Sequence, residues 1–439
     1  MFYIILPDKM MDSLLDRTSA PDIQSIKRIK LIEPKYHQLD NDIPLYLIKA
    51  GSQNIVKIEF LFNAGSLFQN KNLLAFATNT LLNKGTSKHT SNDIADIIEF
   101  NGAYIELKAE FDLASVVIYS INRQLKYVLP LIYEIFTESN FPQKEITLFR
   151  KRQLQKFNIN QQKVDHVARK KFYEAIFGKE TPYGVNAIKK DYTSIDQKDL
   201  LEFKNNFYSS FNCKIIVSGK VTSSVVKMIN EIFGNGKWND EKVAKPQKVT
   251  INTPTKNKYY LERKDAKQSA IRIGKTLFNK THKDFHEVLV LNTVLGGYFG
   301  SRLMSNIRED KGYTYGIGSG LISMLMGGCF FIATEVGANV TKATLTEIYK
   351  EIDLLREEPI DEDELNLVKI YLQGTFLSGI NSPFALADKF KGLLKYGLSY
   401  DYYYSYLDSV KNITSKRILE LSNKYLEPSS LIEIVVGKK

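Results

Sequence analysis

The sequence predicts an α+β fold of two homologous domains in tandem, each an antiparallel sheet packed against helices. Three observations predict it. The chain, at 439 residues, is too long for one ordinary core. Its second half repeats its first. Within each half, strand-like runs come first and helical stretches are grouped after them, the order of layered α+β rather than of alternating βα units.

The repeat is read at a constant offset of 218 positions. Lys151, Leu154 and Gln155 meet Lys369, Leu372 and Gln373, and Lys171 and Phe172 meet Lys389 and Phe390. Ile195, Lys198, Leu201, Glu202 and Asn205 meet Ile413, Lys416, Leu419, Glu420 and Asn423. At the end of each unit, Val217, Gly219 and Lys220 meet Val435, Gly437 and Lys438. Earlier the register slips: NTLL (79–82) faces NTVL (292–295), and Glu99 and Gly102 face Glu309 and Gly312.

Each unit opens with strands. YLIKA and IVKIEFLFNAG lead the first, KYYLERK and SAIRIGKTLF the second, with the alternation and β-branched content of half-buried strands. A helix follows, then a Gly-marked turn and further strands (YIELKAEFDLASVVIYS; GYTYGIGSGL and GGCFFIATEVG). Long helical stretches come next. Ile146, Phe149, Leu154 and Phe157 form one apolar stripe, continued by Val164, Ala168, Phe172 and Ile176. A helix and a short strand close each unit: DLLEFKNNFY then CKIIVSGKV, and RILELSNKYL then LIEIVVGKK. Between the units, GNGKWNDEKVAKPQKVTINTPTKNK reads as a linker by its Lys, Asn, Thr and Pro content. The expected divisions are an extension over 1–29, a first domain over 30–235, a linker over 236–256 and a second domain over 257–439.

Lys+Arg 60 against Asp+Glu 49 gives a net charge of +11, which favours acidic partners or substrates over basic ones. Cys213 and Cys329 each sit in an apolar run and read as buried free thiols of a reducing compartment. MFYIILPDKMMDSLLDR has an apolar run too short for a signal segment, and Asp8, Asp12 and Asp16 oppose a transit peptide. No apolar stretch approaches spanning length, so a cytoplasmic protein without membrane contact is expected.

The segment LLAFATNTLLNKGT (73–86) has the frame of an inverted zinc motif, H-x-x-E-H, with Phe76, Asn79 and Thr80 at the three working positions. Zinc takes imidazole, thiolate or carboxylate donors at about 2 Å, and none of these side chains is a good one. With repeat, frame and linker together, the chain resembles the pitrilysin/insulinase family in its short two-domain bacterial form, from about residue 30 onward. Three strings carry the resemblance: NAGSLFQNKNLLAFATNTLLNKGTSKHTSNDIADIIEFNGAYI, KETPYGVNAIKKDYTSIDQKDLLEFKNNFYSSFNCKIIVSG and LGGYFGSRLMSNIREDKGYTYGI.

The resemblance implies a clamshell half whose second domain supplies an Arg and a Tyr, seven residues apart, to an active site. IREDKGYTY places Arg308 and Tyr315 there, with Gly312 suited to a left-handed helix end between them. A phenol can stabilise an oxyanion and a guanidinium can hold substrate oxygens. On spacing alone, a surface Arg and a core Tyr is the plainer reading; the surrounding string favours the functional one. Catalytic members also take a ligand from a later helix, but Arg150 to Asn158 contains no acidic residue. The resemblance therefore implies a subunit with no metal or cofactor of its own, paired with a zinc-bearing homologous subunit and holding a peptide substrate. A homodimer, or a catalytically inactive scaffold, is the alternative.

Three other signals are weaker. His282 and His286 stand four apart in THKDFHEVLVL without a third donor, and read as structural or solvated at an exposed helix start. His37, His89 and His166 read as isolated surface residues. The basic stretch FRKRQLQKFNINQQKVDHVARKK has no accompanying nucleic-acid fold, so a solvated face or a lining for acidic peptides is expected rather than nucleic-acid binding. GIGSG (316–320) lacks the Lys and Ser/Thr of a phosphate loop.

Overall fold

Two sheets with the same strand order carry the two repeats. The computed structural model describes Thr18, residues 29–239, Pro246 and residues 256–438. Most of the extension expected over 1–29 and most of the linker expected over 236–256 lie outside the described residues. Met1–Leu31 form one unit and Ile32–Lys439 another, and every strand and helix named here belongs to the second.

The first half runs β1 (Lys35–Gln38), β2 (Pro44–Lys49), β3 (Ile55–Phe62), α1 (Leu74–Leu81), α2 (Ser91–Phe100), β4 (Tyr104–Ala109) and β5 (Ala114–Ile121). It continues through α3 (Leu125–Glu138), α4 (Gln143–Asn160), α5 (Val164–Phe177), α6 (Lys189–Ser194), α7 (Gln197–Phe207), β6 (Cys213–Gly219) and α8 (Ser223–Phe233). The second half runs β7 (Lys258–Glu262), β8 (Gln268–Leu277), α9 (Phe285–Asn292), β9 (Ile317–Met324) and β10 (Gly327–Gly337). Helices α10 (Thr341–Glu357), α11 (Glu362–Ser378), α12 (Pro383–Leu394), α13 (Asp401–Asn412) and α14 (Ser415–Tyr425) follow, and β11 (Ile432–Gly437) closes the chain.

The sheet orders are β1-β2-β6-β3-β5-β4 and β7-β11-β8-β10-β9, identical once β1 is set aside. Neither sheet is wholly antiparallel, which corrects the expectation. The closing strand of each half inserts parallel to the opening one, β6 beside β2 and β11 beside β7. The helical crossover between them allows this, since parallel neighbours need a long connection. The repeated glycines mark the insertion. Gly219 (φ +110°) and Gly437 (φ +139°) end these strands in a conformation suited to glycine. A Cβ on Gly219 would stand 2.4 Å from the Ile55 carbonyl oxygen, and one on Gly437 2.6 Å from the Ser269 hydroxyl.

The first core gathers β2, β3, β5 and β6 side chains under α1, α3 and α8, with Phe60, Phe62, Phe136 and Phe233 at its centre. Trp238 joins this core at 3% exposure, so the first residues of the expected linker pack as part of the first half.

The two halves exchange a helix. The stripe Ala168, Phe172 and Ile176 of α5 is buried against the second sheet, with Ala270, Ile432, Ile434 and Val436. Its repeat mate, α12, lies on β2 and β6 of the first sheet, where the Phe390 ring stands 4.9 Å from that of Tyr46. Charge reinforces the seam. Lys57 of β3 pairs with Glu59 at 2.7 Å and Asp388 of α12 at 2.8 Å, while Lys391 of α12 pairs with Glu59 at 2.8 Å and Asp388 at 3.1 Å. Both β3 side chains are buried. Cys213 and Cys329 are buried and unpaired, and burial pushes the Cys329 thiol up to about 12.

Candidate functional site

Helix α1 starts abruptly. Leu73 precedes it in a left-handed conformation (φ +68°), and the Gln69 side-chain oxygen accepts from the Ala75 N–H at 3.2 Å. Of the three motif positions, Phe76 is 38% exposed and packs on Phe149 of α4, with ring centroids 5.8 Å apart. Asn79 is buried and donates to the Tyr208 hydroxyl at 3.1 Å. Thr80 is partly buried beside it. In the stretch where a further ligand would stand, the Arg150 guanidinium instead donates to the Ile195 carbonyl, its Nε at 3.2 Å.

Zinc does not fit these positions. A phenylalanine ring offers no lone pair, Asn79 donates its amide to a phenol, and the later helix brings a cation where an anion is needed. Among the described residues, no three His, Cys, Asp or Glu side chains are grouped to hold a metal ion.

Arg308 and Tyr315 are brought together. Met304–Asp310 form a wide π-helical turn anchored by the buried Ile307. The Lys311 N–H bonds the Asn306 carbonyl and the Tyr313 N–H bonds the Ile307 carbonyl, each at 3.0 Å, closing the turn through Gly312 at φ +64°. Tyr315 stands at a bend two residues before β9 rather than within a strand, and at 93% exposure it is no core residue. Thr314 ties the bend down by donating to the Glu335 carbonyl at 2.7 Å. The Arg308 guanidinium lies 4.6 Å from the Phe299 ring centre and 5.6 Å from that of Tyr315. Cation–π attraction at both rings limits where the guanidinium can go.

Sequence reasoning missed Phe299, which is 61% exposed. The available signal was an aromatic pair, Tyr298-Phe299, between glycines in the same string as Arg308. Gly296, in that string, serves close approach: a Cβ on it would stand 2.7 Å from the Ser319 nitrogen. Phe76 and Tyr315 line separate cavities, of about 550 and 540 Å³.

His286 takes the structural one of the two expected alternatives and His37 is exposed as read, whereas the helix start is not where the spacing placed it. Helix α9 starts at Phe285, after His282, so the pair does not share a helix. His282 stacks on Phe278 at 3.8 Å and its Nδ1 accepts from the Asp284 N–H at 3.1 Å. His286 packs against Tyr402 at 4.4 Å; burial, with the Lys280 charge beside it, lowers its imidazole to about 4. It is packed, not solvated. His89 is likewise engaged, its Nδ1 2.8 Å from Glu134. His166 lies 3.4 Å from an Arg169 nitrogen, whereas His37 is exposed.

Residues 46–186 match the family model of insulinase (peptidase family M16), and residues 194–372 match that of the peptidase M16 inactive domain. The chain belongs to peptidase family M16, the insulinase family. It is 22% identical over 301 residues to an uncharacterized zinc protease, YmxG, of Bacillus subtilis, covering 68% of this chain and 72% of that one. It is 22% identical over 401 residues to the non-peptidase homolog YmxG of Helicobacter pylori, covering 87% and 89%. The crystal structure of a peptidase M16 inactive domain from Pseudomonas fluorescens superposes with a TM-score of 0.84 at 22% identity, covering 92% of this chain and 98% of that chain.

Proposed function

We propose that this chain is the non-metal, substrate-holding member of a heterodimeric zinc peptidase, its partner a homologous subunit with an intact H-x-x-E-H motif. The observation that carries the reading is the Phe299–Arg308–Tyr315 stack. An exposed phenol and a guanidinium within 5.6 Å of two ring centres offer the kinds of donor that oxyanion and carbonyl recognition require. The Phe76–Phe149 pair supports the division of labour, because this half retains no metal donors at its own motif. The partner would contribute zinc, whose chemistry is activation of water. Peptide would be held extended against a sheet edge through backbone hydrogen bonds. Buried unpaired thiols support a reducing, cytoplasmic setting. Among the described residues, no helix is long and apolar enough to cross a membrane.

A second reading, a catalytically inactive scaffold alone or as a homodimer, is favoured by the aromatic filling at Phe76 and by the name of the Helicobacter relative. Co-expression with the zinc-bearing homologue of the same genome separates the two. Chelator-sensitive peptide cleavage by the pair, and none by this chain alone, supports the peptidase reading. No cleavage in any combination supports the scaffold, and chelator-sensitive cleavage by this chain alone overturns both.

A further inference from the structure

Where the two repeats meet, a cavity of about 470 Å³ is lined by two lysines and by no acidic residue. We propose that it binds a fatty carboxylate of medium chain length, the head group on the Lys214 ammonium and the chain against Leu61, Phe68, Leu113, Leu325 and Leu394. The site belongs to this chain alone and does not depend on the peptidase reading.

Strand register builds it. Leu61 of β3 stands opposite both Lys214 of β6 and Ser115 of β5, so these three side chains share one face of the first sheet. Asn63, Leu113 and Asn212, each two positions along from one of them, line the same cavity. Asn212 holds the rim in place: at 5% exposure it accepts from the Asn63 N–H at 3.3 Å and donates to the Phe207 carbonyl at 2.6 Å. The second repeat contributes Leu325, Leu394 and Lys395, and Pro246 of the linker also lines the cavity.

Comparison of the repeats shows that packing alone does not call for a lysine here. The mate of Lys214 is Ile432, which stands opposite Gly274 and is 3% exposed. In the second half that place is filled, since a Cβ on Gly274 would stand 2.9 Å from the Phe172 ring. Phe390, the mate of Phe172, packs on Tyr46 instead. The corresponding place in the first half is open, and a cation lines it.

Charge selects the ligand. Lys395 is compensated, its ammonium 2.8 Å from Asp112. Lys214 makes no hydrogen bond or ion pair with any described residue, and partial burial lowers its ammonium below the ordinary lysine range. The Asn63 side-chain amide is also without a partner among the described residues, its bonds being made by the backbone. A carboxylate has two oxygens for these two donors, and its single charge matches the one uncompensated cation. The apolar walls select a hydrocarbon body over a small hydrophilic anion, and the volume lies in the range of preformed ligand sites.

The test is calorimetric titration of the full chain with hexanoate, octanoate and decanoate, and with 1-octanol and octylamine as charge controls. Octanoate should bind, and each added CH₂ should tighten binding about fourfold until the cavity is filled. Octanol should bind at least tenfold more weakly than octanoate, and octylamine should not bind. Lys214→Ile, which installs the residue of the repeat mate, should weaken octanoate at least tenfold and leave octanol unchanged. Asn63→Ala should weaken octanoate severalfold. Octanoate should raise the melting temperature of the unmodified chain but not of Lys214→Ile. Should that variant fail to fold, Lys214→Gln gives the same comparison. Equal affinity for octanoate and octanol, octanoate affinity retained without Lys214, binding of an acidic peptide in place of octanoate, or no binding would each overturn the inference.

Discussion

The ammonium of Lys57 lies 2.8 Å from the carboxylate of Asp388, a residue 331 positions away in the other half of the chain. With Glu59 and Lys391 the pair closes a ring of alternating charge where an exchanged helix meets the opposite sheet. Burial of Lys57 and Glu59 makes the ring costly to break at one point. Lys57→Met should destabilise the protein by roughly 3 kcal/mol, because Glu59 is left buried with one cation fewer. Lys57→Met with Glu59→Met should recover most of that loss, since apolar replacement of a buried pair is often near neutral. Urea unfolding of both variants measures the difference; equal losses would contradict it.

The exchanged helices should contribute comparably. Phe172 is buried against the second sheet and Phe390 against the first, each at the same place in the repeat. Either Phe→Ala change should cost about 3–5 kcal/mol, the usual figure for a large buried ring. Denaturation midpoints check this, and a loss below about 1 kcal/mol at Phe172 would be inconsistent with its burial at the seam.

His286 sets a pH dependence. Burial first, then the charge of Lys280, opposed by Glu287, holds its imidazole near 4 in the folded chain, below the ordinary value of about 6.5. The unfolded chain therefore binds the extra proton between those values, so the stability this neutral ring contributes is complete above about pH 6.5 and falls as pH drops toward 4. His286→Phe, which keeps the packing against Tyr402 and Tyr406, should flatten that part of the profile by about 2 kcal/mol, allowing for partial exposure. Thermal melts from pH 7 to pH 4 give the slope; an unchanged slope would rule out His286 as its source.

Rewriting the motif alone should not restore a metal centre. Phe76→His, Asn79→Glu and Thr80→His together would supply two imidazoles, yet Arg150 to Asn158 would still lack a carboxylate. After gel filtration, metal analysis should find well below one zinc per chain. Stoichiometric retention would show that another donor reaches the helix.

Much of this organisation was legible in the residues. The repeat offset placed Gly219 with Gly437 and Phe172 with Phe390, and the structure puts each pair at equivalent points of the two halves. Gly312 was readable as a left-handed helix end because few other residues fit there. The helix exchange was not legible. A stripe at helical spacing says that Ala168, Phe172 and Ile176 are buried, but not against which sheet. The parallel pairs were hidden for a similar reason, since strand order depends on where a long crossover returns. Phe149 was seen as one stripe residue; its place against Phe76 required the packing of α4 on α1. Phe299 was passed over because an exposed aromatic carries no periodic signal.

The central claim is that Arg308 and Tyr315 serve a zinc site held by a partner, and one measurement tests it most directly. Peptide turnover by the assembled pair is compared for the unmodified chain and for Tyr315→Phe, with assembly checked by gel filtration. Loss of the phenol should lower turnover by roughly a hundredfold while the pair stays intact, the size of effect seen when an oxyanion donor is removed. Undiminished turnover in the intact Tyr315→Phe pair would contradict the account.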